Sequence, residues 1–296
     1  MTRLLVLVLL LVQASAVRAE IALADDRGRD LVLQEPAQRI ISLAPNLTEL
    51  LFAAGAGARL VGAVALAYSD FPAPARRVAG VGDSSAIDVE RVVALKPDVV
   101  LAWRSGNPSE TIAKLEQLGV RVFVTEPGTL EAIADEIERF GRIAGTDDVA
   151  GKAAAQFRRD IAALRHDYQS RRPVSVFYQV WHEPLMTVNG KQVISAVIDL
   201  CGGRNIFAGL PALVPRVSLE AVLAANPEAI VTASDRPAAE ALANWSNWQQ
   251  LRAVRDGNLV VIPSDDISRP TPRLLKGARR LCAQLERIRR ADGPGQ

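Results

Sequence analysis

The sequence DVERVVALKPDVVLA at residues 88–102 occurs a second time in the chain, as SLEAVLAANPEAIVTA at residues 218–233. Both copies follow the pattern E-x-x-x-A-x-x-P and continue into a short apolar run. Glu90 and Glu220 are 130 residues apart, and so are Pro97 and Pro227. One unit used twice at a constant spacing predicts two similar lobes.

Each copy predicts a helix followed by a buried strand. Asp88 and Ser218 are favourable N-cap residues, and a glutamate in the first turn is stabilised by the helix dipole. The proline is expected to end the helix. The apolar run that follows is typical of a buried parallel strand. The repeat therefore predicts an α/β fold with two Rossmann-like lobes, and a cleft between two such lobes is a natural ligand site.

The remaining sequence fits this fold. Residues 21–33 alternate around a turn and predict a β-hairpin. Further strands are predicted at residues 39–43, 59–65, 121–124, 174–180 and 258–262, and helices at 47–54, 108–118, 130–144, 192–201, 247–254 and 272–290. One uninterrupted helix lies between the two halves. The predicted domains are an N-terminal lobe at 20–145, a connecting helix at 146–171 and a C-terminal lobe at 172–296.

The N-terminus predicts export from the cytoplasm. Arg3 precedes an unbroken apolar run at residues 4–12, and small residues before Glu20 fit a cleavage site, so residues 1–19 are interpreted as a signal peptide. The run is shorter than a typical membrane-spanning helix, although a retained anchor is the alternative. The chain has two cysteines, Cys201 and Cys282. In an exported protein such a pair predicts a disulfide, with two free buried thiols as the alternative.

Several functional classes find no support in the sequence. The formal net charge is only +2, and no basic patch alternates with aromatic residues, which argues against nucleic-acid binding. The sequence contains no nucleophile elbow and no phosphate-binding loop. His166 and His182 lack the spacing of metal ligands. We therefore expect neither an enzyme nor a bound metal or cofactor.

In open α/β sheets, ligands bind beyond the carboxyl ends of the strands. The side chains predicted to follow strands are Asn46, Tyr68, Trp103 and Arg104 in the first lobe and Trp181, His182, Asp265, Asp266 and Arg269 in the second. Tyr68, Trp103 and Trp181 would suit a flat apolar ligand with polar edges, unless each ring covers the core of its own lobe.

Two sets of carboxylates allow other interpretations. Asp265 and Asp266 leave open a secreted α/β enzyme, although neighbours on a strand point to opposite faces. Glu90 and Glu220 are expected to compensate the helix dipole, and the same two residues are also interpreted as a matched pair of docking charges for a symmetric partner; the two roles are compatible.

The chain resembles a known family, the periplasmic binding proteins of metal-chelate ABC importers, and most closely its cobalamin-binding members. The matching segments are RIISLAPNLTELLFAAG at 39–55, YSDFP at 68–72, AWRSGN at 102–107, LCGGRNIF at 200–207, VSLEAVLAANPEAIV at 217–231 and SRPTPR at 268–273. The resemblance covers nearly all of the mature chain.

The resemblance implies two α/β lobes joined by a single long helix, and a periplasmic protein that delivers a corrinoid to an inner-membrane permease dimer. Nothing in the sequence suggests more than a monomer. It implies ligand contacts for Tyr68, Trp103, Asp265 and Arg269, and it pairs Cys201 with Cys282. By the same resemblance, Glu90 and Glu220 engage arginines of the permease.

The chain also departs from the cobalamin-binding pattern. Ser84, Val214 and Asp266 stand where large aromatic residues are expected, and Trp181 offers a replacement from a neighbouring position. The ligand therefore remains open between cobalamin, a precursor of cobalamin, haem and a ferric siderophore. Tyr68 or His182 would bind the iron of haem, whereas Arg104 and Arg269 are the candidates for a siderophore.

Overall fold

The computed structural model of the chain describes residues 20–64, 78–83 and 86–291, so the predicted signal peptide, Tyr68 and Ser84 lie outside the described residues. The strands are β1 (Ile21–Ala24), β2 (Asp30–Leu33), β3 (Ile40–Ser42), β4 (Leu60–Ala63), β5 (Ala79–Gly80), β6 (Val99–Trp103), β7 (Val122–Thr125), β8 (Val174–Gln179), β9 (Trp181–His182), β10 (Leu185–Met186), β11 (Gly203–Asn205), β12 (Ala229–Ala233) and β13 (Leu259–Ile262).

The helices alternate with these strands. They are α1 (Pro45–Ala53), α2 (Val89–Ala94), α3 (Ser109–Gln117), α4 (Leu130–Ala144), α5 (Asp147–Tyr168), α6 (Val193–Leu200), α7 (Leu219–Ala225), α8 (Ala238–Ala241), α9 (Arg252–Arg255), α10 (Ser264–Ile267) and α11 (Leu274–Ala291).

The strands form one parallel sheet in each half of the chain. The first sheet has the order β5-β4-β3-β6-β7 and the second has the order β11-β8-β12-β13. The strands of the repeat, β6 and β12, occupy equivalent places, because each lies between the strand that comes first in the chain order of its parallel sheet and an outer strand. Helix α5 follows the first sheet and precedes the second. The prediction of two Rossmann-like lobes joined by a long helix is confirmed.

The two repeat copies fold alike, but the proline does not end the helix by itself. Asp88 accepts the backbone N–H of Arg91 at 2.9 Å, and Ser218 caps α7 in the same way. Each helix stops before its proline, at a residue with positive φ, which is 47° at Lys96 and 41° at Asn226. The residue before a proline is disfavoured in the right-handed helical region, so the turn occurs there.

The carboxylate after each proline was not predicted to matter, yet it attaches the repeat to the neighbouring strand. Asp98 Oδ2 accepts the backbone N–H groups of Gln38 and Arg39 at 2.8 and 2.9 Å. At the equivalent place, Glu228 Oε2 accepts the N–H of Ser175 at 2.7 Å. A side chain of the repeat therefore fixes the start of β3 in the first lobe and of β8 in the second.

One apolar core runs through both lobes. Phe140 of α4, Phe157 of α5 and Leu281 of α11 belong to a single buried cluster that also includes residues of both sheets. A disulfide joins Cys201, at the end of α6, to Cys282 of α11. The predicted disulfide is therefore confirmed, and the alternative of two free thiols is wrong.

The second lobe differs from the prediction in its local elements. The helix expected at residues 247–254 is reduced to α9, because the preceding residues form turns, in which the N–H of Trp248 donates to the carbonyl of Trp245 and the N–H of Leu251 to that of Trp248, both at 2.9 Å. The hairpin β9–β10 and the short helices α8 and α10 were not predicted, since elements of two to four residues show no periodicity. In the first lobe, Trp103 is the last residue of β6 rather than the residue after it.

Candidate functional site

The carboxyl ends of the strands line two cavities. The first, of about 30 Å³, lies between the lobes; Trp103, Glu126 and Gly128 contribute from the first lobe, and Lys191, Leu213 and Pro270 from the second. The second, of about 500 Å³, lies in the second lobe beyond β8 and β12, and we call it the second-lobe pocket. Its lining includes Gln179, Trp181, His182, Thr232, Asp235, Arg236, Glu240, Asn244 and Ser264.

The ring of Trp103 is held in one orientation at the first cavity. A Cβ atom on Gly106 would lie 2.1 Å from Cε3 of Trp103, so the ring packs directly on the glycine. The indole Nε1 donates to Glu126 Oε1 at 3.3 Å, and Glu126 Oε2 accepts the N–H of Ser105 at 2.7 Å. The ring is only partly exposed. The predicted ligand contact of Trp103 is compatible with this placement and stays a prediction.

Behind Trp103, a chain of polar contacts leads into the core of the first lobe. Asp26 accepts the N–H of Glu126 at 2.5 Å and pairs with Arg139 at 2.8 Å. Arg139 pairs in turn with Glu136, which also accepts the hydroxyl of Thr125 at 2.7 Å. Burial raises the pKa of Glu136 to about 7, although Arg139 and Thr125 oppose the shift. A continuous series of polar contacts therefore connects the indole of Trp103 to the buried carboxyl group of Glu136.

Trp181 presents its ring at the rim of the second-lobe pocket. Trp181 lies on the hairpin β9–β10 opposite Met186, and 57% of the residue is exposed to solvent. The ring centroids of Trp181 and His182 are 5.6 Å apart. Met186 forms an isolated bridge with Arg216, two residues beyond Val214. The predicted role of Trp181 as a replacement ring stays a prediction.

Arg269, predicted to bind ligand, joins the two lobes, and its ligand contact stays a prediction. Its guanidinium pairs with Asp265 of α10 and with Glu49 of α1, and its side chain is only 10% exposed. Thr271 donates its hydroxyl to Glu49 at 2.7 Å. Burial raises the pKa of Glu49, while Thr271 and Arg269 oppose the shift. Sequence reasoning missed Glu49, although a lone carboxylate within the apolar helix α1 was the available signal.

Asp265 and Asp266 do not act as a pair. Asp266 is 2% exposed and lies 3.3 to 3.5 Å from the nitrogen atoms of Arg273, Lys276 and Arg280. Asp265 faces Arg269 instead. The position where an aromatic ring was expected therefore holds a buried carboxylate fixed by three cations, and the acid–base arrangement that an enzyme would need is not formed by these two side chains.

Asn46, the second residue of α1, was also predicted to contact ligand. It is 1% exposed, and within the described part of the chain neither atom of its side-chain amide has a hydrogen-bond partner. Buried amides are normally paired, so this group is unusual. A ligand contact of Asn46 stays a prediction and requires the surrounding surface to move.

Glu90 and Glu220 lie in the exposed first turns of α2 and α7, one in each lobe. Hydrogen bonds from its own backbone N–H and from Ser218 lower the pKa of Glu220. Among the residues described, no ion pair involves either glutamate. Their docking role stays a prediction.

Within residues 20–64, 78–83 and 86–291, no three histidine, cysteine, aspartate or glutamate side chains are placed to hold a metal ion. No helix among the same residues combines the length and apolar character needed to cross a membrane.

Comparison with known proteins agrees with this architecture. Residues 40–266 match the family described as periplasmic binding protein. A vitamin B12-binding protein of Vibrio parahaemolyticus is 38% identical over 257 residues, which cover 86% of this chain and 92% of the relative. The crystal structure of the periplasmic vitamin B12 binding protein BtuF of Vibrio cholerae superposes with a TM-score of 0.76 at 39% identity, covering 86% of this chain and 98% of that one. A periplasmic heme binding protein from Pseudomonas aeruginosa gives a TM-score of 0.69 at 26% identity, over 83% of this chain and 92% of that one. The chain belongs to the periplasmic binding protein family.

Proposed function

We propose that this protein binds a corrinoid, cobalamin, in the cleft between its lobes and delivers it to an inner-membrane ABC importer. The observation that carries the proposal is the 39% identity to a vitamin B12 binding protein over 86% of the chain, with the same fold. In this proposal the protein does not transform its ligand, and it needs no cofactor of its own.

The arrangement of the aromatic side chains supports a large flat ligand. Trp103 lies at the cavity between the lobes and Trp181 at the rim of the second-lobe pocket. An exposed tryptophan provides a large apolar surface with a polar edge, which suits a macrocycle bearing polar substituents. Tyr68 is proposed to complete the wall in the first lobe, and Asp265, Arg269 and Asn46 are proposed as polar contacts.

Haem is the second candidate ligand, because His182 is exposed at the pocket and carries an imidazole able to bind iron. A ferric siderophore is less well supported, since Arg269 is already engaged by Glu49 and Asp265.

The partner is proposed to be the permease dimer of the importer. Glu90 and Glu220 would contact one permease subunit each, since they occupy equivalent exposed places in the two lobes. Such charges orient and accelerate docking more than they add affinity. We further propose that residues 1–19 are a cleaved signal peptide and that the mature protein is a periplasmic monomer. N-terminal sequencing of the exported protein tests the cleavage site.

Calorimetric titration of the protein purified from the periplasm tests the ligand. We expect one-to-one binding of cyanocobalamin, weakened in Trp181→Ala and Trp103→Ala. Leu118→Ala, which truncates another exposed apolar side chain, serves as the control and should bind normally. Binding of haemin alone would replace cobalamin by haem in the proposal.

Transport tests the docking role separately. Reversal of both Glu90 and Glu220 to lysine should abolish uptake without changing ligand affinity. Normal uptake by this double variant would contradict the docking role.

A further inference from the structure

The second-lobe pocket has a polar interior with a defined floor. Gln179, at the end of β8, is buried and accepts the indole N–H of Trp245 at 2.7 Å. Asn244 donates to the same oxygen at 3.3 Å. Trp181 forms part of the rim. The pocket volume of about 500 Å³ leaves room for side groups of a ligand whose flat face lies on Trp181.

Negative charge predominates in this pocket. Asp235 and Glu240 line it together with Arg236. Asp235 is held in place because its Oδ1 accepts the backbone N–H of Ser264 at 3.1 Å. Among the described lining residues, two carboxylates therefore oppose one guanidinium group.

Arg269, close to this pocket along the chain, does not change its net negative charge. Arg269 lies four residues from Asp265 on the segment after β13, but Glu49 and Asp265 both pair with it and it is largely buried. Its positive charge is compensated within the protein. A ligand carboxylate entering this part of the cleft would meet net negative charge.

The chemistry of the pocket suits a carboxamide better than a carboxylate. A carboxamide donates two N–H hydrogen bonds and also accepts, whereas a carboxylate only accepts. Carboxylates facing one another repel and leave each other without donors. A corrin macrocycle carries neutral carboxamide side chains, and haem carries carboxylates.

We propose that the second-lobe pocket receives carboxamide side chains of the corrin rim, that Asp235 and Glu240 accept their N–H groups, and that the same two residues reject ligands with carboxylates there. This inference rests on the proposed corrinoid function. It makes the pocket the part of the site that separates corrinoids from haem.

Monocarboxylic acids of cyanocobalamin, prepared by mild acid hydrolysis, test the proposal because each replaces one peripheral carboxamide by a carboxylate of the same size. We expect wild-type protein to bind at least one of these acids about tenfold more weakly than cyanocobalamin. In Asp235→Asn/Glu240→Gln, the ratio for that acid should fall to about threefold or less, because the repulsion is removed.

Asp30→Asn/Glu110→Gln is the matched control, since it removes two exposed carboxylates of the first lobe and should keep the full ratio. Circular dichroism confirms that each variant is folded. Equal binding of cyanocobalamin and all its monocarboxylic acids by wild-type protein would overturn the inference but leave the corrinoid function intact. The same holds if Asp235→Asn/Glu240→Gln retains the full ratio. Failure of wild-type protein to bind cyanocobalamin would overturn the proposed function itself.

Discussion

Replacing Glu49 by alanine removes the carboxylate that joins the first lobe to Arg269 and Thr271 of the second. Loss of one partner of a buried ion pair costs about 3–5 kcal/mol when the other charge is left uncompensated. Here Asp265 still pairs with Arg269, so only the hydroxyl of Thr271 loses its acceptor completely. We therefore expect the free energy of unfolding to fall by about 2–3 kcal/mol in Glu49→Ala.

A double-mutant cycle measures the coupling between the two side chains. Glu49→Ala, Arg269→Ala and the double variant are unfolded in urea beside the wild type. Because the partners touch, we expect a coupling free energy of about 1–3 kcal/mol. The exposed pair Arg165–Glu131, at 2.8 Å, is the matched control and should give at most about 1 kcal/mol. Additivity of the Glu49 and Arg269 effects within about 0.5 kcal/mol would refute the interlobe role of the pair.

Three further substitutions test a buried carboxyl group, the disulfide and the packing of Trp103. Burial raises the pKa of Glu136 from 4.5 to about 7, so the native state loses stability as pH rises through this interval. Glu136→Gln should remove that loss, up to about 3 kcal/mol, when unfolding is followed from pH 4 to 8. Replacing Cys201 and Cys282 by alanine removes a disulfide between residues 81 positions apart, and should lower the free energy of unfolding in denaturant by about 4–5 kcal/mol. Gly106→Ala should displace the ring of Trp103 and weaken corrinoid binding about tenfold in calorimetry.

A different result would contradict each of these three predictions. An unchanged pH profile in Glu136→Gln would show that this carboxyl group does not titrate in the native state over that range. A stability loss below about 1 kcal/mol without the disulfide would mean that the chain between the two cysteines is already restricted when unfolded. Normal affinity of Gly106→Ala, together with a changed tryptophan fluorescence that reports a displaced ring, would separate the packing of Trp103 from ligand binding.

Much of the fold is predictable because its signals are local. The N-caps Asp88 and Ser218 act on the backbone three residues away, and the apolar runs after Pro97 and Pro227 form β6 and β12. Repetition of these signals at one spacing is enough to predict two equivalent lobes. The position of the carboxyl ends then predicts where Trp103 lies, because strand direction follows from the order of elements.

The pairing of side chains across the lobes was not accessible in this way. Glu49 and Arg269 are separated by 220 residues, and nothing in the neighbourhood of either indicates the other. The sequence predicts Arg269 as a ligand-binding cation, which stays a prediction, but it does not reveal that Glu49 of α1 pairs with it. Asp266 is likewise buried among cations of the last helix, although its neighbour Asp265 is not. Capping and periodicity are set by residues within a few positions of one another, so they can be read along the chain, but the partner of a buried charge is decided only when distant elements meet.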